Sequence, residues 1–299
     1  MKNARAEVAS LAVGRSSGPI GDYIALTKPR LNVLVVATSA AGYYLGSLRG
    51  PELLPMTHAV AAVALVAGGA AVLNQVYERD TDALMRRTRM RPLPDGRLAP
   101  AAARTFGLVL AGAGLALLAL GANLLAALLA LATLVIYLMV YTPMKRRSAF
   151  AAIVGAVPGA LPPLIGWTAA CGRVSIGGCA LFAIVFLWQI PHFMAIAWLY
   201  REDYRQGGFP MLPVIEPDGR RTGRQAVLYA AALVPTSLVP ALVGVSGWMY
   251  FSVALVLGIA ILGLAVRFAS TRSEASARAL FFGSITYLPL TWAAMILNH

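Results

Sequence analysis

Asn74, Glu78 and Asp82 stand four residues apart in the stretch Asn74-Gln-Val-Tyr-Glu78-Arg79-Asp80-Thr-Asp82. On a helix, positions i, i+4 and i+8 share one face, so this spacing lines up an amide oxygen and two carboxylates. Asp80, two residues from either acid, points elsewhere. Such a row of hard oxygens suits Mg²⁺, which takes one or two carboxylates together with substrate phosphates and waters. The arginines that follow, Arg86, Arg87, Arg89 and Arg91, have the fork geometry that grips phosphate oxygens bidentately. The combination predicts metal-assisted chemistry on a diphosphate. Read blandly, it is a solvated helix end laced with ion pairs. Ionisable residues at the end of a membrane span are functional by default, however.

A second polar stretch holds Trp188-Gln-Ile-Pro191-His192-Phe193, then Tyr200-Arg-Glu202-Asp203-Tyr204. Glu202 and Asp203 are candidates for a second metal site. If the helix runs on unbroken, His192 lies on nearly the same face as Asp203, about 16 Å deeper along the axis. An imidazole there can ligate a metal centre or steady cationic character. Two basic stretches, Thr27-Lys28-Pro29-Arg30 and Tyr141-Thr-Pro-Met-Lys145-Arg146-Arg147, add Lys28, Lys145 and Arg146 as phosphate contacts, or else as plain membrane anchors.

The elements that position these residues are membrane spans. Of 299 residues, 59% are hydrophobic and 12% charged, and mean hydropathy is +0.72. That is too little charge to cover a water-facing surface. A spanning helix needs roughly 20 apolar residues. Nine windows qualify, near 30–48, 56–77, 104–121, 122–142, 149–170, 177–199, 226–246, 248–268 and 279–297. The expected fold is all-α and integral to the membrane, with nine transmembrane helices forming one domain over 23–299. Residues 1–22 lack a signal-peptide core and read as a flexible cytoplasmic tail. With the N-terminus cytoplasmic, 23 of the 25 basic residues fall in one set of loops, leaving Arg49 and Arg173 opposite. That split follows the positive-inside rule and predicts an external C-terminus. The net charge of +13 then describes a membrane rim facing the lipid bilayer, and no nucleic-acid partner is expected. Gly42/Gly46 and Gly155/Gly159 have GxxxG spacing, which lets helices approach closely. Pro158, Pro162, Pro163, Pro191 and Pro289 predict kinks. Cys171 and Cys179 match no metal or redox spacing and read as packing residues.

Five stretches in order carry a family resemblance: TKPR at 27–30, NQVYERDTDALMRRTRMRPLP at 74–94, YTPMKRR at 141–147, GAVPGALPPLIGW at 155–167 and WQIPHFMAIAWLYREDYRQGGFPML at 188–212. Together they resemble the UbiA superfamily of intramembrane prenyltransferases, in its heme-farnesylating branch. The resemblance implies a UbiA-type bundle in a bacterial or archaeal cytoplasmic membrane. Farnesyl diphosphate is the implied donor, heme B the acceptor and Mg²⁺ the cofactor. It also implies handover of product to heme A synthase or a terminal-oxidase assembly pathway. By motif position, Asn74, Glu78 and Asp82 match the superfamily's first acidic motif. The second, DxxxD, is replaced here by Tyr200-Arg-Glu-Asp-Tyr204, as befits the heme branch. The runner-up reading is a UbiA-type enzyme acting on an aromatic or quinone precursor. A transporter fits less well, since transporters set ionisable groups near the midplane and these acids cluster at span ends.

Overall fold

The computed structural model describes residues 18–47, 50, 52–86 and 88–299, all helix and connecting turns, with no strand among them. Twelve helices follow in order: α1 Gly18–Leu26, α2 Pro29–Gly46, α3 Leu53–Asp82, α4 Pro100–Gly121, α5 Leu124–Met144, α6 Ala151–Cys171, α7 Ile176–Leu199, α8 Arg201–Gln206, α9 Leu212–Ile215, α10 Arg220–Leu242, α11 Trp248–Thr271 and α12 Glu274–Leu297. Eight of these, α3 to α7 and α10 to α12, are long and apolar enough to cross a membrane. The 18-residue α2 packs beside them, between α3 and α6, so the expected nine helices roughly match the bundle. Exposed Leu108, Leu120, Val256, Ile259 and Phe282 give the bundle an apolar outer surface. It is an integral membrane protein.

The long apolar runs around 104–142 and 226–268 divide at turn residues. Asn123 caps α5 by accepting from Ala126 N at 2.9 Å and donates back to Thr168 O at 2.7 Å. A side-chain cap of this kind contributes about 1 kcal/mol. Between α10 and α11, Gly244 takes φ +76, a left-handed conformation that favours glycine.

α2 and α6 are shared by two cores. One core lies among α2, α6, α7, α10, α11 and α12, the other among α2 to α6. α2 meets α6 through glycine. A Cβ on Gly42 would collide with the Pro163 carbonyl, and one on Gly166 with the Ser39 carbonyl. The expected close approach therefore occurs, with Gly46 set against Trp167 in the next turn. Pro158, Pro162 and Pro163 sit inside an unbroken α6, and Pro191 inside an unbroken α7.

Two expectations change. Residues 18–22, assigned to a tail, begin α1. There Asp22 is buried and bonded to Arg97 Nη1 at 2.6 Å, so the acid needs that helix to meet its partner. The remainder of the expected tail, 1–17, lies outside the described residues. The helix carrying His192 ends at Leu199, and Tyr200 (φ −111, ψ 23) separates it from α8. His192 and Asp203 thus sit on different helices, and the common-face estimate between them does not apply.

Candidate active site

α3 is 30 residues long. At 1.5 Å per residue it reaches about 45 Å, well beyond the roughly 30 Å hydrocarbon layer. Its last turns carry Asn74, Glu78 and Asp82 on one buried face, at 3%, 5% and 1% exposure. Asp80 projects outward, its side chain 86% exposed, and pairs with neighbouring Arg79. The four-residue spacing thus did its expected work.

Three cations from separate segments converge on that face. Arg91 Nη1 meets Asp82 Oδ2 at 2.7 Å. Lys145 Nζ meets Glu78 Oε1 at 3.3 Å and lies 4.5 Å from the centre of the Phe209 ring. Lys28 is part-buried near Arg91, Glu78, Asp82 and Lys145. Burial and then Arg91 push its ammonium down to about 8. Burial also pulls Lys145 down, but Tyr141 and Glu78 outweigh it and hold the ammonium above its ordinary value. Each ion pair engages one oxygen of its carboxylate. With the Asn74 amide, the acids form a hard-oxygen set suited to Mg²⁺ in the presence of phosphates. No group of three or more His, Cys, Asp or Glu among the described residues could hold a metal alone.

Several positioning residues gave no signal in the sequence. Gln75 donates to Leu26 O at 2.6 Å and so ties α1 to the acid-bearing helix. Asn32 donates to Thr27 O at 2.6 Å, and Lys28 turns the chain in a left-handed conformation (φ 49) before Pro29 opens α2. Thr88 donates to Asp82 O at 2.7 Å, anchoring the loop that carries Arg91. Within α5, residues Ile136–Tyr141 form a π-helical stretch, a feature frequent at functional sites. Thr142 follows it, donates to Tyr137 O at 2.7 Å and accepts from Asn74 Nδ2 at 3.1 Å. Its single proton goes to the carbonyl, so the Asn74 amide must offer N–H here and turn its oxygen elsewhere. Thr142→Val is expected to raise the Mg²⁺ concentration for half-maximal turnover by roughly 10- to 100-fold, as loss of an outer-shell partner does. Thr142→Ser should restore it, and an unchanged Mg²⁺ curve for the valine variant would remove this role.

Other candidates scatter. Arg86 and Arg146 are exposed, and Arg87 lies outside the described residues. Glu202 is exposed and paired with Arg205 at 2.7 Å. Its neighbour Asp203 is part-buried on the same short helix. Glu202 and Asp203, expected as a second metal pair, thus share the short helix α8, with Glu202 turned to Arg205. What α8 does contribute is Tyr204, which packs with Met85 and Phe209 just beyond Asp82. A cavity of about 70 Å³ is lined by Tyr141, Lys145, Phe193, Met194, Tyr204 and Leu212, among others. His192 lies one residue from this wall, its Nδ1 2.7 Å from Ser284 Oγ.

An apolar bundle that gathers an acid row and three cations at one rim is built to hold a polar diphosphate beside a hydrophobic chain. The chain belongs to the UbiA prenyltransferase family, whose profile matches residues 35–287. Among its relatives, protoheme IX farnesyltransferase of Solibacter usitatus (strain Ellin6076) is 48% identical over 287 residues, covering 93% of this chain and 98% of that one. The protein of the same name from Anaeromyxobacter sp. (strain Fw109-5) is 46% identical over 298 residues, covering 99% and 97%. A UbiA homologue from Archaeoglobus fulgidus, solved bound to GPP and Mg²⁺, shares the fold with a TM-score of 0.67 at 19% identity, covering 92% of this chain and 99% of that one. A digeranylgeranylglyceryl phosphate synthase shares it at 0.80 and 17% identity, covering 93% and 98%.

Proposed function

We propose that this chain transfers the farnesyl group of farnesyl diphosphate to a vinyl group of protoheme IX (heme B), giving heme O and diphosphate. The observation that carries the reading is the convergence of Lys28, Arg91 and Lys145 on the Asn74–Glu78–Asp82 face, in a chain 48% identical to a protoheme IX farnesyltransferase.

Asn74, Glu78 and Asp82 would hold Mg²⁺, which neutralises diphosphate charge when bound. Lys28, Arg91 and Lys145 stabilise the leaving group as the C–O bond breaks and the electron pair departs with diphosphate. Electrostatic stabilisation of this kind is usually the largest catalytic term. The heme vinyl attacks the allylic carbon. Water then adds to the resulting carbocation and loses a proton, leaving a hydroxyethylfarnesyl substituent. The bundle interior keeps bulk water away until the C–C bond has formed. His192 serves the acceptor side. The test is purified protein with heme B, farnesyl diphosphate and Mg²⁺, products resolved by mass. Heme O supports the reading; prenylation of an aromatic acid without heme O overturns it.

Lys28 makes donor binding depend on pH. Its ammonium carries charge below about 8 and loses it above. Affinity for farnesyl diphosphate is expected to fall as pH rises through that value, and Lys28→Arg, which stays charged, should flatten the decline. A flat wild-type profile would count against Lys28 as a donor contact.

The acid rim faces the cytoplasm in this reading, by the 23-to-2 split of basic residues. Reporters fused near residues 90, 145 and 210 should register as cytoplasmic, and one at His299 as external. A cytoplasmic reporter at His299 would refute the orientation.

A further inference from the structure

His192 is held from three sides, in a way that a merely space-filling histidine does not need. Trp188 stacks on the imidazole with centroids 5.0 Å apart and planes 17° off parallel. Phe281, from α12, stacks on it at 5.1 Å and 22°. Ser284, one turn further along α12, meets Nδ1 at 2.7 Å. Trp188 Nε1 donates to the Ser284 carbonyl at 2.7 Å, which joins α7 and α12 across the same point.

The hydrogen bonds also set the tautomer. Ser284 has one proton, and its hydroxyl donates to Phe281 O at 2.7 Å. With that proton on the carbonyl, Ser284 Oγ accepts from Nδ1–H, and in the neutral imidazole this leaves the lone pair on Nε2. Nε2 has no hydrogen-bond partner among the described residues, and it is not among the sealed, unpartnered polar atoms. A neutral imidazole whose other N–H is tied to an oxygen is the arrangement of a metal-ligating histidine. The outer hydrogen bond fixes the ring and raises its basicity toward the metal.

The other two histidines are badly placed for the reaction. His58 is 16 residues before Asn74 on α3, about 24 Å along the axis. His299 follows the end of α12 and contacts Tyr44 near the end of α2. His192 alone of the three adjoins the cavity wall, through Phe193.

We propose that His192 Nε2 is the axial ligand to the iron of the porphyrin acceptor, with Ser284 as its positioning residue. The inference rests on the reading of heme B as substrate. It adds how the acceptor is oriented: a single coordinate bond from Nε2 to iron fixes the macrocycle plane across the imidazole axis. No covalent bond is broken and no electron is transferred in this step.

The test is spectroscopic, on the purified full-length protein titrated with heme B in ferric and ferrous states. Wild type is expected to show a histidine-ligated Soret spectrum and a ferrous iron–histidine stretch by resonance Raman. His192→Gly should lose both, and added imidazole should restore the ligated spectrum. Ser284→Ala should keep the ligand but shift the stretch, with heme affinity lower by roughly 10- to 100-fold; Ser284→Thr, which retains the hydroxyl, should return both. Farnesyl diphosphate affinity should stay unchanged throughout. A His192→Gly protein with the wild-type heme spectrum overturns the proposal, as does a well-folded one whose spectrum imidazole fails to restore. An unshifted stretch in Ser284→Ala overturns the part played by Ser284. The two readings fail separately. Heme O made by a His192→Gly protein with an unaltered spectrum sinks the ligand and leaves the activity standing. A histidine-dependent spectrum in a wild type that makes no heme O does the reverse.

Discussion

Asp82→Ala is expected to lower turnover by roughly three orders of magnitude, the scale of losing a principal electrostatic stabiliser of the departing charge, while the protein still inserts and folds. The side chain is 2% exposed and paired with Arg91. Removing one member of a buried pair ordinarily costs about 3–5 kcal/mol, because the other charge is left without a partner. Here the surviving partner is the more accessible one, at 32% exposure, and can turn to water. The stability loss should therefore fall below that range and the functional loss dominate. Asp80→Ala removes a carboxylate that is 86% exposed and bound to its sequence neighbour. Surface pairs of this kind contribute at most about 1 kcal/mol, so activity should stay within about twofold of wild type. Steady-state rates for both variants, alongside wild type in a Mg²⁺ chelator, decide the matter. Equal losses at Asp80 and Asp82 would sink the helix-face argument, and full activity in chelator would remove the metal.

The second large effect is structural. Gly42→Val should prevent α2 from seating on α6, because even its Cβ would overlap the Pro163 carbonyl. That atom is main chain in a helix whose other face packs into the bundle, and it has nowhere to retreat. Overpacking typically costs 1–3 kcal/mol and sometimes more, and backbone overlap belongs at the upper end or beyond. The expected result is aggregated protein in detergent and no resolvable thermal transition. Gly112→Val, where a Cβ meets nothing within 4 Å, serves as the control and should melt near wild type. A Gly42→Val protein that is monodisperse and melts normally would mean that the α2–α6 contact is looser than described.

Both effects trace back to patterns that were legible in the sequence. The acid row was visible because helical period and residue type agree over three positions, and the GxxxG pair because small residues at that spacing have one main use in lipid. The breaks at Asn123 and Gly244 carried their own turn chemistry. The end of α7 did not. Tyr200 is neither glycine nor proline, so nothing local marks the stop that parts His192 from Asp203. Cross-chain partners were equally silent: Thr142 meets Asn74 across 68 residues, and Arg97 meets Asp22 across 75. Arg97 did look basic and cytoplasmic, but one charge among many in a loop gives no hint of which acid it seeks. The π-helical stretch at Ile136–Tyr141 is made of ordinary apolar residues, none of which marks the extra residue in its turn.

The ion pair between Glu78 and Lys145 also bears on how the protein is made. The lysine lies 67 residues downstream of the acid. At about 5–20 residues per second of synthesis, Glu78 leaves the ribosome roughly 3–13 s before its partner. Through that interval α3 holds a carboxylate at the membrane boundary with no counter-charge from Lys145, and the glycines of α2 still lack the α6 surface they fit. The first half of the bundle must therefore wait, loosely held, for residues that have yet to be translated.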